Sequence, residues 1–455
     1  MNCIFCCVFN QYDYLTLFFL LLESIFTYGN LTDDTEILVY TSTSFKEVIQ
    51  NSSLFNETKI KFEVNDTYNN LDNDCKSRLD LFQLNSIVNY DKILYLDIDV
   101  LVKDDIHKVF DVCKEDVLYA LEEGEINSPT KIWGRELFGN EVEKYKDKSA
   151  FSSGVMLFNN CEKIRGLFIK IKEDILNRPH ICNYYDQPFI IYNAFKYNLV
   201  NNKTLISLVV NNDYNIHSNK VIHHFSGSGV CRHKINNMKM FLFDFKEVTI
   251  SNIINETKKY INNNLLVIVK NIGDPLEGNI FMYDNSLDYT DLFINKVKNI
   301  SNLLLNKNIK NVLDIGFNSG FSTLLMLLSN PSVRVTCVDL GKHRYTIPCY
   351  ANLKDFFGDR INIIIGDSRE TLLTMNENFD LIHIDGGHTN DVAESDIINC
   401  YRNSKNGTIL IMDDYDYSPL HTLWDKYIVK YGLKSLNTYV YPSLHHDIKY
   451  VTKGN

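Results

Sequence analysis

Lys92-Ile-Leu-Tyr-Leu-Asp97-Ile-Asp99-Val-Leu-Val102 is an apolar run interrupted by two carboxylates one residue apart. The run up to Leu96 reads as a buried strand. Period-two geometry would place Asp97 and Asp99 on one face of it. Two hard oxygen ligands on one side suit Mg²⁺ or Mn²⁺, and such an ion can bridge a diphosphate. The bland alternative is a pair of solvated turn acids, so the surroundings decide.

Upstream and downstream, short apolar runs alternate with amphipathic stretches. Ile37–Thr41, Val117–Leu121 and Val155–Phe158 join Lys92–Leu96 as buried strands, and Cys75–Val88 has a helical pattern. This is an α/β layout with mainly parallel strands. A polar, Asn- and Lys-rich stretch, Ser251–Asn264, reads as a linker or a connecting helix. A second α/β set follows. Its strands are Val312–Ile315, Arg334–Val338, Ile361–Ile365, Leu381–Ile384 and Thr408–Met412, and its helices are Ser322–Leu328, Tyr350–Phe357, Arg369–Met375 and Val392–Arg402. That alternation indicates a doubly wound nucleotide-binding sheet. The expected organisation is one domain over 1–248, a linker over 249–264 and a second, unrelated domain over 265–455.

Around the paired acids the sequence resembles the family 8 retaining glycosyltransferases, the glycogenin and galactinol synthase group. Arg78-Leu79 followed by Tyr90-Asp-Lys-Ile-Leu-Tyr-Leu-Asp97-Ile-Asp99 looks like the segment leading into that family's metal motif. Phe151-Ser-Ser153-Gly154-Val-Met-Leu-Phe158 resembles its Asn-Ser-Gly-Val strand, with Ser152 where Asn is usual. Tyr185-Asp186-Gln187-Pro188 matches its Asp-Gln motif, and Val221-Ile-His-His224-Phe225-Ser-Gly227 its late His-Phe-x-Gly motif. The resemblance implies a GT-A fold, a nucleotide-sugar donor (usually a UDP-sugar) and Mn²⁺ held by Asp97, Asp99 and His224. It places Ser153, Asp186 and Gln187 at the sugar, Arg78 near the diphosphate, and Asn10 and Tyr14 near the uracil. One departure concerns the diphosphate grip. Ser228-Gly-Val-Cys-Arg232-His233-Lys234 replaces the family's Lys-Pro-Trp-like segment, leaving Arg232 or Lys234 to substitute. On spacing alone, His223 and His224 would be packing or turn residues.

The second set carries its own constellation. Asn311-Val-Leu-Asp314-Ile-Gly316-Phe-Asn-Ser-Gly320-Phe-Ser322 reads as strand, glycine turn and helix start, which lets a ligand approach backbone amides at a helix N-terminus. Asp339 ends the next strand, where an acid can bind ribose hydroxyls. Asp367-Ser368, Asp385 and Asp413-Asp414 end the third, fourth and fifth. This series resembles class I S-adenosylmethionine-dependent methyltransferases over residues 280–435. Ile382-His-Ile-Asp385-Gly-Gly-His388 and Met412-Asp-Asp414 look most like the branch with the macrocin-type sugar O-methyltransferases. An NAD-binding sheet is the rival, weakened by Asn318 in the middle position of its glycine motif. The resemblance gives Gly316, Gly320, Asp339, Asp367 and Ser368 to S-adenosylmethionine, and Asp385, Asp413 and Asp414 to Mg²⁺ in metal-dependent members. Three converging carboxylates would repel without a cation. His388 is a candidate base, or else a loop histidine bonded to backbone.

Composition excludes some classes. The chain has 455 residues, 45% apolar and 23% charged, with net charge −11. It is neither disordered nor polytopic, and it lacks the basic surface of a nonspecific nucleic-acid binder. The eleven cysteines include one lone CxxC, Cys3 and Cys6, in a strand-like run; buried free thiols in a reducing compartment are expected. No Lys or Arg precedes Lys46, and the apolar run Leu15–Leu22 is far shorter than the ~20 residues of a membrane span. A strand (Ile4–Phe9) and a buried helix (Tyr14–Phe26) are expected instead, in a soluble, cytoplasmic protein. Asn makes up about one residue in nine, well above ordinary usage. This composition and the domain fusion resemble proteins of large DNA viruses of amoebae, which would place the chain in the host cytoplasm. The leading expectation is a bifunctional enzyme that transfers a sugar and O-methylates a glycan, with a glycan or glycoprotein acceptor. Alternatives are a methyltransferase acting on a protein or small molecule, and a self-glycosylating primer with an inactive second domain. The sequence leaves donor, acceptor and oligomeric state open.

Overall fold

β1 (Asn2–Val8) is buried on both faces, as the uninterrupted run Cys3–Cys6 demands of a central parallel strand. In the computed structural model, which describes residues 1–68, 75–178, 185–227 and 231–453, β1 pairs in parallel with β2 (Thr35–Thr41) on one side and β4 (Lys92–Leu96) on the other. With β3 (Ile60–Val64), β6 (Leu118–Glu125), β7 (Ser149–Asn159) and β8 (Val200–Asn201), these form a seven-stranded sheet ordered β3-β2-β1-β4-β7-β6-β8. β7 runs antiparallel to both β4 and β6. The N-terminal helix runs Tyr12–Tyr28, two residues longer at each end than expected. No helix among the described residues is long and apolar enough to cross a membrane.

The chain leaves this sheet at Leu96. Asp97-Ile98-Asp99 is a turn rather than strand, so the same-face argument does not apply there. β5 (Val100–Val102) then joins a small sheet with β9 (Val209–Asn211) and β10 (Ile222–His224), in the order β5-β10-β9. Its register sets Val100 opposite His224. The expected helix over Cys75–Val88 is two 3-10 turns, Ser77–Gln83 and Asn85–Asn89, because Leu84 between them is extended.

The chain divides into two compact units: Met1–Gln50 with Phe55–Asp244, and Asn51–Leu54 with Phe245–Asn455. The stretch Ser251–Asn264 is helical, within Cys231–Tyr260 and the π-turn Ile261–Leu265. Ile250, Ile254, Thr257, Ile261 and Leu265 are buried at steps of three and four. The Asn and Lys residues between them hid that period.

The second unit holds β11 (Asn311–Ile315), β12 (Arg334–Asp339), β13 (Ile361–Ile365), β14 (Phe379–Ile384), β15 (Ser404–Met412) and β16 (Asp447–Tyr450). Their order is β13-β12-β11-β14-β15-β16, parallel except for β16. Ile315 pairs with Val338 and Ile384, and Ile384 with Met412. The residues that follow (Gly316, Asp339, Asp385 and Asp413) therefore share one rim, where open α/β sheets bind ligands.

Candidate active sites

In the first unit, the ligand atoms of Asp97, Asp99 and His224 lie within 4.8 Å of one another. His224 Nε2 stands 3.3 Å from Asp99 Oδ1 and 3.9 Å from Asp97 Oδ2. Its Nδ1 is 2.9 Å from Asn211 Oδ1, and Asn211 Nδ2 donates to Glu123 at 2.7 Å. That chain fixes the ring with Nε2 toward the acids. Gly154 is required beside it: a Cβ there would meet His224 Cε1 at 2.2 Å and Asp97 Oδ2 at 2.8 Å. Lys234 Nζ donates to Asp99 Oδ2 at 2.5 Å, and Tyr95 Oη to Asp97 Oδ1 at 2.5 Å. Burial pushes the Asp99 carboxyl up, but His224 and Lys234 outweigh it and hold it well below the usual carboxylate range. Burial also favours neutral His224, and Asp99 overcomes it to raise the imidazole. This cluster has the chemistry of a divalent-ion site: two carboxylates and an imidazole.

Arg78 is buried and closes over Asp186, donating from Nε at 2.7 Å and Nη2 at 2.6 Å. The same guanidinium reaches the Ser153 carbonyl at 2.8 Å, Ser153 Oγ at 3.0 Å and Asp97 at 3.4 Å. Its donors are thus engaged with protein. Ser153 donates from N and Oγ to Gln187 Oε1 at 3.1 and 2.9 Å. Ser153, Asp186, Gln187 and Arg78 are one bonded set that touches Asp97. Asn10 is exposed just beyond β1, with φ 74°, and Tyr14 is half-buried one helical turn on. Of the segment expected to replace the family's diphosphate grip, Ser228–Val230 lies outside the described residues, as does Cys182. Lys234 does reach the acid cluster. Tyr95, Asn211 and Glu123 were not foreseen. Asn211 and Glu123 stand in no motif: strand pairing sets Asn211 opposite His224, and Glu123 reaches Asn211 from the larger sheet.

In the second unit the glycine turn folds as expected. Gly316 has φ 95°, and a Cβ there would lie 2.0 Å from the Asp385 carbonyl oxygen. Gly320 has φ 79° and starts the helix Phe321–Ser329. Asp339 accepts from the Asn318 amide at 2.8 Å and the Gly341 amide at 2.7 Å, so it braces the glycine turn. Asp367 caps the helix Ser368–Thr374, accepting from the Arg369 amide, and is chelated by the Arg369 guanidinium.

The acids at the end of β14 and β15 gather differently from the expected trio. Asp385, His388 and Asp414 form one group with ligand atoms within 4.8 Å; His383, Asp413 and His446 form another. His388 Nε2 lies 3.1 Å from Asp414 Oδ2, which raises the imidazole. Asp413 is buried against Lys296, whose Nζ contacts Oδ1 and stands 3.6 Å from Asp414. The cation that converging carboxylates demand is thus supplied in part by the chain itself. Burial and Asp413 together push Asp385 up to about 8. In sequence, Lys296 in Ile294–Leu304 looks like any surface lysine, and only tertiary packing buries it.

Residues 8–201 match the glycosyl transferase family 8, and residues 313–415 match a methyltransferase domain. None of the curated proteins matches the chain. Among solved structures, the apo WbbM bifunctional glycosyltransferase is 15% identical over 53% of this chain and 51% of its own, with a TM-score of 0.39. The chain thus spans about half the length of that protein. Mouse xyloside xylosyltransferase 1 is 13% identical over 51% of this chain and 99% of its own (TM-score 0.35). A putative O-methyltransferase from Klebsiella pneumoniae is 17% identical over 42% and 88% (TM-score 0.31). The chain is built of mixed α/β sheets, with an N-terminal region that matches the glycosyl transferase family 8 and a C-terminal region that matches a methyltransferase domain.

Proposed function

We propose that the chain moves a glycosyl unit from a UDP-sugar to a glycan or glycoprotein and O-methylates a sugar hydroxyl with S-adenosylmethionine. The reading assigns residues 1–248 to the first reaction and 265–455 to the second. The observation that carries it is the convergence of Asp97, Asp99 and His224 beside the bonded set Ser153, Asp186, Gln187 and Arg78. Mn²⁺ held by the first three would neutralise the charge that grows on a leaving diphosphate. Arg78 fixes Asp186 in one orientation, which suits a carboxylate that stabilises positive charge at an anomeric carbon. In this reading Lys234, bonded to Asp99 beside the ion site, would share the diphosphate with the ion. At the second rim, Gly316 and Gly320 let the turn pack tightly against Asp385 and Phe317 at the start of a helix, and Asp339 and Asp367 stand at neighbouring strand ends. S-adenosylmethionine would supply an electrophilic methyl group there. His388, oriented by Asp414, is placed to accept the hydroxyl proton. Asp385 and Asp414 are the carboxylates that would hold Mg²⁺ beside it.

The test is release of free UDP from a panel of UDP-sugars with Mn²⁺. Metal-dependent turnover with one sugar, abolished in Asp97→Ala/Asp99→Ala, is expected. Turnover that survives the double substitution would refute the assignment of the metal site.

A further inference from the structure

Four polar atoms without a hydrogen-bond partner lie together in the core of the second unit: His383 Nε2, Asp413 Oδ2 and both ring nitrogens of His446. Leaving such atoms unpaired costs about 1–3 kcal/mol each, so a folded core rarely gathers four. The side chains of His383, Asp413 and His446 are 0, 1 and 0% exposed.

His383 Nε2 is 3.4 Å from Asp413 Oδ2, and His446 Nε2 is 3.5 Å from Asp413 Oδ1. These separations exceed the ~3.2 Å limit of ordinary N–H···O bonds. They equal the ligand-to-ligand edge, ~3.4 Å, of a tetrahedron around an ion with bonds of about 2.1 Å. His383 is already oriented for ligation. Its Nδ1 is 2.8 Å from Asp314 Oδ1, and Asp314 accepts from the hydroxyls of Ser322 and Thr323. A carboxylate on one ring nitrogen, with the other turned to the ion, is the arrangement behind metal-bound histidines. Charge leaves room for an ion: Asp413 and Asp414 face the ammonium of Lys296, and Asp314 and Asp413 flank His383.

We propose that His383, Asp413 and His446 bind one divalent transition-metal ion, with Zn²⁺ as the representative, apart from the rim group of Asp385, His388 and Asp414. Two imidazoles and one carboxylate favour zinc over the hard cations. Asp413 offers both oxygens, and its Oδ1 keeps the contact with Lys296. Enclosure gives the ion a structural role: it ties the segment preceding β16 to the ends of β14 and β15. The proposal does not depend on either transfer reaction.

The experiment uses the full chain carrying Asp97→Asn, Asp99→Asn and Asp414→Asn, which removes the other two candidate groups. The protein is loaded with Co²⁺, desalted, and its metal content and visible spectrum are recorded. One retained Co²⁺ per chain with the intense bands of tetrahedral cobalt is expected, lost on adding His446→Gln. No retained Co²⁺, or retention unaffected by His446→Gln, overturns the proposal. If circular dichroism shows that the His446 variant does not fold, X-ray absorption of the Zn²⁺-loaded parent decides. Two imidazoles among the ligands support the site, and an all-oxygen set overturns it.

Discussion

Gly154 carries more of the first site than its size suggests. A methyl there would sit inside van der Waals contact of both His224 and Asp97. Gly154→Ala is therefore expected to weaken Mn²⁺ binding at least ~10-fold by displacing His224, read by electron paramagnetic resonance of free Mn²⁺. Unchanged affinity would mean that the imidazole does not ligate. Asn211→Ala removes the partner of His224 Nδ1 without adding bulk and should cost ~10–100-fold in the same titration. Glu123→Gln, which still accepts from Asn211 Nδ2, should cost much less, and that contrast would separate orientation from mere packing. Arg78 presents a different balance. Arg78→Met would strand Asp186, which is 1% exposed, as a buried unpaired charge and cost about 3–5 kcal/mol by urea denaturation. Adding Asp186→Leu should recover most of that loss. The motif residues of this site could be read in sequence because they cluster in short runs. Asn211, Glu123, Lys296 and His446 could not, since each reaches its partner only through tertiary pairing.

Elements were most legible where apolar runs are continuous. β1, β2, β4 and β11 to β15 lie where the sequence placed them, within a few residues at the ends. Prediction failed where local pattern and tertiary demand diverge. Cys75–Val88 has helical periodicity, yet an extended Leu84 splits it and lets Arg78 reach Asp186. Asp97-Ile98-Asp99 continues an apolar run, yet the chain turns there to enter the small sheet. Asp396, on the helix Asn390–Arg402, shows a further tension. It is buried with both oxygens unpartnered, and a Cβ on Gly386 would lie 2.6 Å from Oδ2. Burial pushes its carboxyl up to about 6. The charged form is the one the fold disfavours, so its contribution to stability is complete below about pH 4. It is lost as pH rises through about 6. Asp396→Asn should flatten this dependence and stabilise the second unit by about 3 kcal/mol at pH 8. Urea denaturation at pH 5 and pH 8 checks it; the same slope in both proteins would place the penalty elsewhere.

Each unit has its own apolar core. One is built around Phe5, Phe151 and Phe158, the other around Phe281, Phe317 and Phe321. Two cores allow two cooperative transitions, and a ligand that binds only one native unit should move only its transition. The two tryptophans make this measurable: Trp133 lies in the first unit and Trp424, fully buried, in the second. In Trp133→Phe, fluorescence follows the second unit alone. S-adenosylmethionine at 100 times its Kd should stabilise that transition by about 2.7 kcal/mol, while Mn²⁺ with UDP leaves it in place. The converse should appear in circular dichroism, where Mn²⁺ with UDP moves the other transition. A shift of the Trp424 signal by Mn²⁺ with UDP would show that the units unfold as one. Absence of any shift with S-adenosylmethionine would remove that cofactor from the second rim.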